Sequence, residues 1–418
     1  MFSTTVSSSD WLREVCERQP EVARLLAAPV EEQQRRGYFH TLREILQQPS
    51  SWIHTAEQMA SVSPSLRAGM KDVRALVLTG SGSSEYVGHC VRLALQERLG
   101  VSTLAIGGGV LLTNSWALPR QRPALVVSLA RSGDSPESVG VLSLLLETEP
   151  GLRHLVLTCN AKGKLATRFR NDPRVHVIAL ADSTNDRSLV MTSSFTNLLI
   201  ALHCFAFLEA PEAYQSQCRK LSAIAGELLM TGLARLAEVS ALDFRRAIFL
   251  GTGVRFGAAR EAALKMLEMT SGRVCAVAET YLGLRHGPMS YVHKDTLIVC
   301  FLSSDKTLRA YESDLIRELD RKNLGMLKII VGDDVPPDLL RDQDVVISCP
   351  GLAEVGDSPA PVVDVVVGQV LGLFRCLREG LRPDSPSESG VINRVVQSFK
   401  LHFPAGVLNG ERDSSGSS

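Results

Sequence analysis

Apolar residues recur along this chain in two rhythms. Short runs rich in valine, isoleucine and leucine end abruptly in glycine or serine, and between them lie longer stretches whose apolar residues fall three and four apart. The runs at 76–78, 124–127, 154–158 and 175–180, and again at 247–250, 297–299, 327–331 and 345–349, read as strands buried on both faces. That is the mark of a parallel sheet with helices packed on either side. The spaced stretches read as those helices, with further ones before the first strand in "QPEVARLL" and "YFHTLREILQQ".

The rhythm repeats with a fixed offset. Leu76-Val77-Leu78-Thr79-Gly80-Ser81-Gly82 lies 171 positions before Ala247-Ile248-Phe249-Leu250-Gly251-Thr252-Gly253, and the same offset carries Ser132 and Asp134 onto Ser303 and Asp305. The expected fold class is therefore α/β, with two tandem doubly wound parallel-sheet domains. The pattern predicts a helical lead-in over 1–50, a first domain over 51–215 bearing phosphate-type loops, a second over 225–380, and a C-terminal tail over 381–418. The uncharged stretch 189–208 has the length of a membrane span, but it holds Thr192, Ser193, Ser194, Thr196, Asn197 and His203, so a buried core helix is expected.

Charge and cysteines narrow the function. Lys plus Arg and Asp plus Glu number 45 each, which leaves no overall field to gather nucleic acid or an anionic membrane. Nine scattered cysteines without a C-x-x-C pair fit free thiols in a reducing cytoplasm, and the N-terminus shows no signal-peptide pattern. No H-x-x-x-H motif or Cys/His cluster is present, so neither a metal nor any other cofactor is expected.

The candidate chemistry sits where strands end. "SLARSGDSPESV" leaves the strand at 124–127 and enters a helix near Pro136, while "TGSGSSEYVG" leaves the strand at 76–78 with Ser81, Ser83 and Ser84 ahead of another helix. In an open α/β sheet both loops lie at the carboxyl edge, where hydroxyls, amides and helix N-termini suit a phosphate. The competing reading is that these serines and Asp134 only cap helices. Glu85 stands where a dinucleotide fingerprint needs its third glycine, and no Gly-Lys-Ser/Thr follows, so a nucleotide is disfavoured.

In the second half, Glu261, Lys265 and Glu268 are spaced four and three apart and share one helix face, either as a solvated ion-pair ladder or as working groups. His286 follows in "LRHGP", on a loop. A carboxylate and a histidine beside a phosphate loop can open a sugar ring and move a proton between C1 and C2.

Taken together, "TGSGSS", "ARSGDSPESV", "MTSSFTNL" and "ALKMLEMTSG" with "LRHGPMSYV" resemble the tandem sugar isomerase (SIS) family. More narrowly, they resemble its galactosamine-6-phosphate deaminase/isomerase group, also named tagatose-6-phosphate aldose-ketose isomerases. The resemblance runs from about residue 40 to "SGVINRVVQ". Compared with the isomerase half of glucosamine-6-phosphate synthase, it implies a phosphate loop at Ala130 to Ser135. There Ser132 and Ser135 keep hydroxyls, and Arg131 replaces a glutamine and makes the contact more ionic. It further implies substrate contacts at Ser83, Ser84 and Thr192, Glu268 as the C1/C2 proton shuttle with Lys265 and Glu261 assisting, and His286 as the ring-opening group reaching in from a neighbouring subunit. The implied protein is a homodimer or larger homo-oligomer that takes a phosphorylated aminosugar, with no nucleic-acid or membrane partner.

The implied activity is deamination of galactosamine 6-phosphate to tagatose 6-phosphate and ammonia. The chain starts Met1-Phe2 without the N-terminal cysteine that a glutaminase domain uses, which disfavours amide transfer from glutamine. Plain aldose-ketose isomerisation of a hexose 6-phosphate stays open. So does a non-catalytic sugar-phosphate sensor, although residues 1–70 carry seven basic and eight acidic side chains with no basic recognition face for DNA.

Overall fold

The computed structural model describes residues 8–397 and 399–403. Five helices open the described chain: α1 (Ser8–Arg18), α2 (Pro20–Ala27), α3 (Val30–Arg36), α4 (Phe39–Leu46) and α5 (Gln48–Met70). The first half follows as β1 (Ala75–Gly80), α6 (Ser83–Leu99), β2 (Ser102–Gly107), α7 (Gly108–Thr113), β3 (Ala124–Ala130), α8 (Pro136–Thr148), β4 (Leu152–Thr158), α9 (Lys164–Phe169), β5 (Val175–Ala179) and α10 (Ser193–His203). Two helices, α11 (Pro211–Thr231) and α12 (Leu233–Ser240), lead on. The second half runs β6 (Arg246–Leu250), α13 (Val254–Met269), β7 (Cys275–Glu279), α14 (Tyr281–Leu284), β8 (Thr296–Phe301), α15 (Lys306–Arg321), β9 (Leu327–Gly332), β10 (Val345–Ser348), α16 (Leu352–Val355) and α17 (Pro361–Arg378).

Each half holds one parallel five-stranded sheet, ordered β2-β1-β3-β4-β5 and β10-β9-β8-β6-β7. Read from the other edge, the second order is the first repeated, so the duplication seen in sequence is a duplication of topology. In both sheets the first strand lies between the second and the third, and the direction in which successive strands are added reverses there. The crevice beyond their carboxyl ends is where such sheets bind ligands. In the first sheet this is β1 beside β3, registered Thr79 to Ser128, which sets the two serine loops side by side.

The halves are joined by helices. Gly257 of α13 abuts Cys90 of α6, where a Cβ would meet the Cys90 nitrogen at 2.6 Å, and farther along α13 Lys265 reaches back to Ser83 at the start of α6. The two helices therefore run antiparallel, each the first helix of its sheet. On the other side of α13, α17 comes as close: a Cβ on Gly368 would lie 2.5 Å from Ala262 Cβ and 2.8 Å from its Cα. Small residues permit this, since Ala258, Ala259 and Ala262 are wholly buried.

One continuous apolar core joins the lead-in helices to both halves, from Trp11 through Leu78, Leu199 and Val299 to Leu381. The segment expected as a tail contributes too, because Asp384 accepts from the amides of His40 (3.2 Å) and Thr41 (2.7 Å) at the start of α4. Helix α11 spans 216–224, the interval between the expected domains 51–215 and 225–380. The apolar stretch 189–208 forms α10 and a 3-10 turn, with every α10 residue buried; among the described residues no helix is long and apolar enough to cross a membrane.

Gly368→Ala should test the α13–α17 seam. Alanine favours a helix by up to about 1 kcal/mol over glycine, but here its methyl group overpacks, so a net loss of roughly 1–3 kcal/mol in urea denaturation is expected. Adding Ala262→Gly should recover part of it. A Gly368→Ala protein as stable as the parent would mean that the helices part freely.

Candidate active site

The loop after β3 is shaped to offer donors. Gly133 takes the left-handed conformation (φ 68°), and the amides of Ser132 and Gly133 meet no acceptor among the described residues. Ser132 Oγ accepts from the Asp134 amide at 3.2 Å, which orients its oxygen and leaves its proton to give. Ser135 is the N-cap of α8, as the capping reading expected. It accepts from the Ser138 amide at 3.3 Å and lies 2.7 Å from the Ser138 hydroxyl. If Ser138 donates in that pair, the Ser135 proton is free as well. Asp134 faces elsewhere, accepting from the Lys164 amide at 2.9 Å at the start of α9. Two amides, two hydroxyls and the N-terminus of a 13-residue helix thus share the loop that leaves β3, a donor set suited to an anion.

The charged trio of α13 is not a surface ladder. Side-chain exposure is 1% for Lys265, 0% for Glu261 and 23% for Glu268. Lys265 Nζ lies 3.2 Å from Glu261, pairs closely with Glu268, and donates to Ser83 Oγ at 3.1 Å. Burial alone would lower the Lys265 pKa, but the Glu261 and Glu268 charges outweigh it and the net shift is upward. Burial pushes the Glu261 carboxyl up to about 7 against the pull of Lys265. Lys265 is thereby held as a cation between a buried carboxylate and one that reaches the surface, in contact with the first-half serine loop.

A third wall comes from the N-terminus of α10. Asp186, 1% exposed, accepts from the amides of Thr192 (2.7 Å) and Ser194 (2.8 Å) and from the Ser193 hydroxyl (2.6 Å). The Ser84 hydroxyl donates to Met191 Sδ at 3.7 Å, which ties the β1 loop to this turn. Thr192 is fully buried, and its Oγ1 has no hydrogen-bond partner among the described residues. Behind the turn stands Glu44 of the lead-in, which accepts from the Arg187 amide at 2.6 Å and is raised to about 8 by burial and by the neighbouring Asp186 charge.

Lys265, with Glu261 and Glu268 beside it, thus meets Ser83 of the β1 loop, Ser84 of that loop meets the turn that leads into Thr192, and Ser132 and Ser135 stand on the loop of the neighbouring strand β3. Arg131, expected to make the phosphate contact more ionic, is engaged by backbone carbonyls. Its guanidinium is buried and donates to the carbonyls of Ser188 (3.2 Å) and Leu189 (2.8 Å) and to that of Arg394, which ties the β3 loop to those segments. His286 lies exposed after α14, with no hydrogen bond from its ring among the described residues and none to Glu268. Asp186, Glu44 and Arg394 are additions that carried no local motif. Arg394 donates to the Asp186 carbonyl at 2.8 Å and to Asn185 at 2.6 Å, contacts that exist only once distant segments fold together. Among the described residues no group of three His, Cys, Asp or Glu side chains could hold a metal ion.

Comparison with known proteins finds a matching family, relatives and solved structures. The SIS domain family profile matches residues 242–367. The chain is 32% identical over 370 residues to the D-galactosamine-6-phosphate deaminase AgaS of Escherichia coli O157:H7, an alignment covering 87% of this chain and 95% of that one. It is also 32% identical to the protein of the same name from Shewanella sp. strain ANA-3, over 88% of this chain and 92% of the other. Among solved structures, tagatose-6-phosphate ketose/aldose isomerase from Escherichia coli superposes with a TM-score of 0.79 at 30% identity, over 88% of this chain and 96% of that one.

The trio predicts a separable pair of effects. Lys265→Met strands Glu261 in the interior without a cation and should cost roughly 3–5 kcal/mol of stability. Glu261→Gln added to it should recover most of that loss in urea denaturation. Turnover should stay down by about a hundredfold, because Glu268 has still lost the ammonium that positions it. Recovery of activity together with stability would show that Lys265 serves only to balance charge.

Proposed function

Because the chain belongs to the family of SIS-domain D-galactosamine-6-phosphate deaminases, we propose that it converts D-galactosamine 6-phosphate and water into tagatose 6-phosphate and ammonia. One observation carries the reading. The 3.1 Å bond from Lys265 Nζ to Ser83 Oγ joins the acid–base residues of one half to the donor-rich loops of the other, giving a single site that can hold a phosphate and move a proton.

In this reading the phosphate lies against Ser132, Ser135 and the Ser132 and Gly133 amides, with Ser83 and Ser84 beside it and Thr192 facing the sugar. His286 of a neighbouring subunit opens the ring and exposes the C1 aldehyde. Glu268 takes the C2 proton and returns it at C1 while a proton passes from the amine nitrogen to O1, so the aldehyde becomes a hydroxymethyl group and the C2 amine a ketimine. Water adds at C2 and ammonia leaves. Lys265 positions Glu268, and Glu261 anchors Lys265. The nine cysteines are free thiols, which supports placement in a reducing cytoplasm. In the same reading the protein is a homo-oligomer, since the exposed His286 ring makes no hydrogen bond among the described residues.

Incubation with galactosamine 6-phosphate should release ammonia and tagatose 6-phosphate in equal amounts. Ketose formed from a hexose 6-phosphate, with no ammonia from the aminosugar, would favour the plain isomerase instead. Absence of both products would leave a sensor.

Glu268→Gln preserves shape but cannot accept a proton, so kcat should fall at least roughly a hundredfold with KM little changed. Mixed and exchanged with His286→Ala subunits, it should regain activity, since some sites then pair an intact Glu268 with an intact His286. Verified subunit exchange without recovery would place both residues' action within one chain.

A further inference from the structure

The 171-residue repeat allows the crevice of the second sheet to be compared with the first position by position. Ser303 holds the same turn as Ser132, its Oγ accepting from the Asp305 amide at 3.0 Å. In the first half the amides of Ser132 and Gly133 meet no acceptor in the described chain. In the second, the Ser303 amide donates to Glu312 at 2.7 Å and the Ser304 amide to Asp357 Oδ1 at 2.8 Å, while the Ser303 hydroxyl donates to Asp357 Oδ2. Arg255, at the position of Ser84, is fully buried beside them. It bonds Asp364 through Nε and Nη2, each at 2.8 Å, donates to the Leu302 carbonyl, and lies 3.6 Å from Asp357.

One carboxylate therefore collects an amide, a hydroxyl and a guanidinium, the donor set that recognises an oxyanion. Asp357 is not needed as the cap of the following helix. Asp305 already caps α15, accepting from the Thr307 and Leu308 amides at 2.9 Å each. Asp357 instead arrives from the turn between α16 and α17, and its side chain is 18% exposed, within reach of solvent.

We infer that the second half retains an oxyanion cradle equivalent to that of the first, and that the chain closes it with its own Asp357 carboxylate, so that each chain holds one sugar phosphate and not two. The inference rests on reading the Ser132 loop as the phosphate cradle.

Asp357→Gly removes the internal ligand and leaves the donors. Its melting temperature should drop by roughly 5 °C, in line with lost hydrogen bonds to a charged group. Formate, which replaces the excised group, or inorganic phosphate should restore at least half of the drop when compared with chloride at matched ionic strength. The parent protein should gain nothing from formate. If the variant does not fold, refolding yields of Asp357→Ala in formate and in chloride make the same comparison. Restoration by either anion supports the cradle; restoration by neither, or an equal shift in the parent, overturns it. Ser132→Ala separates the two readings, since it should raise KM for the sugar phosphate about tenfold. An unchanged KM there would defeat the phosphate reading, whereas a raised KM with no anion rescue at position 357 would defeat only this inference.

Discussion

Everything in the site depends on two helices being able to touch. Helices α6 and α13 lie antiparallel with no room for a side chain where Gly257 meets Cys90, and this closeness carries Lys265 onto Ser83. Were the helices at an ordinary interaxial distance of about 8–10 Å, the ammonium and the serine loop would belong to separate surfaces. Helix α17 presses α13 from behind through Gly368 and Gly372, so α13 is fixed on two sides. A proton shuttle gains from that rigidity, because its reacting atoms have to sit within a fraction of an ångström of a productive geometry.

Burial gives the trio its character. On an exposed helix, Glu261, Lys265 and Glu268 would be an ion-pair ladder worth a few tenths of a kcal/mol per pair. Inside the seam, Lys265 cannot leave its carboxylates without leaving them uncompensated, and the arrangement becomes a constraint on where Glu268 points. Arg255, Asp364 and Asp357 form a second buried charge group around the same helix, at its N-terminal end. Both ends of α13 are thus fastened electrostatically, one facing each crevice.

The sequence showed much of this and missed the rest for physical reasons. Central strands such as β1, β3 and β8 are buried along their whole length, so their apolar runs stood out and the repeat could be aligned on them. The edge strands β2 and β7 are only partly buried, and their mixed composition hid them. Helix spacing put Glu261, Lys265 and Glu268 on one face, but only the packing of α6 and α17 decided that the face is interior. Arg131 shows the reverse case: its position matched a phosphate loop, while its contacts with Ser188, Leu189 and Arg394 depend on loops far away in the chain. Asp186, Glu44 and Asp357 were invisible for the same reason, since a carboxylate that caps backbone amides across a fold leaves no periodic trace.

The bond between Asp384 and α4 bears on how the protein is made. Asp384 accepts from the Thr41 amide 343 residues earlier, serving as an N-terminal cap delivered from the other end of the chain. Until a ribosome has produced that aspartate, the first turn of α4 lacks a partner for its amides. At ordinary elongation rates the interval is roughly 20–70 s. Helix α4 carries Glu44, which pins the turn beside Thr192, so even the crevice wall that belongs to the first half rests on a cap supplied after the second half has been synthesised. A nascent chain halted between the two would present folded sheets and an unfinished pocket.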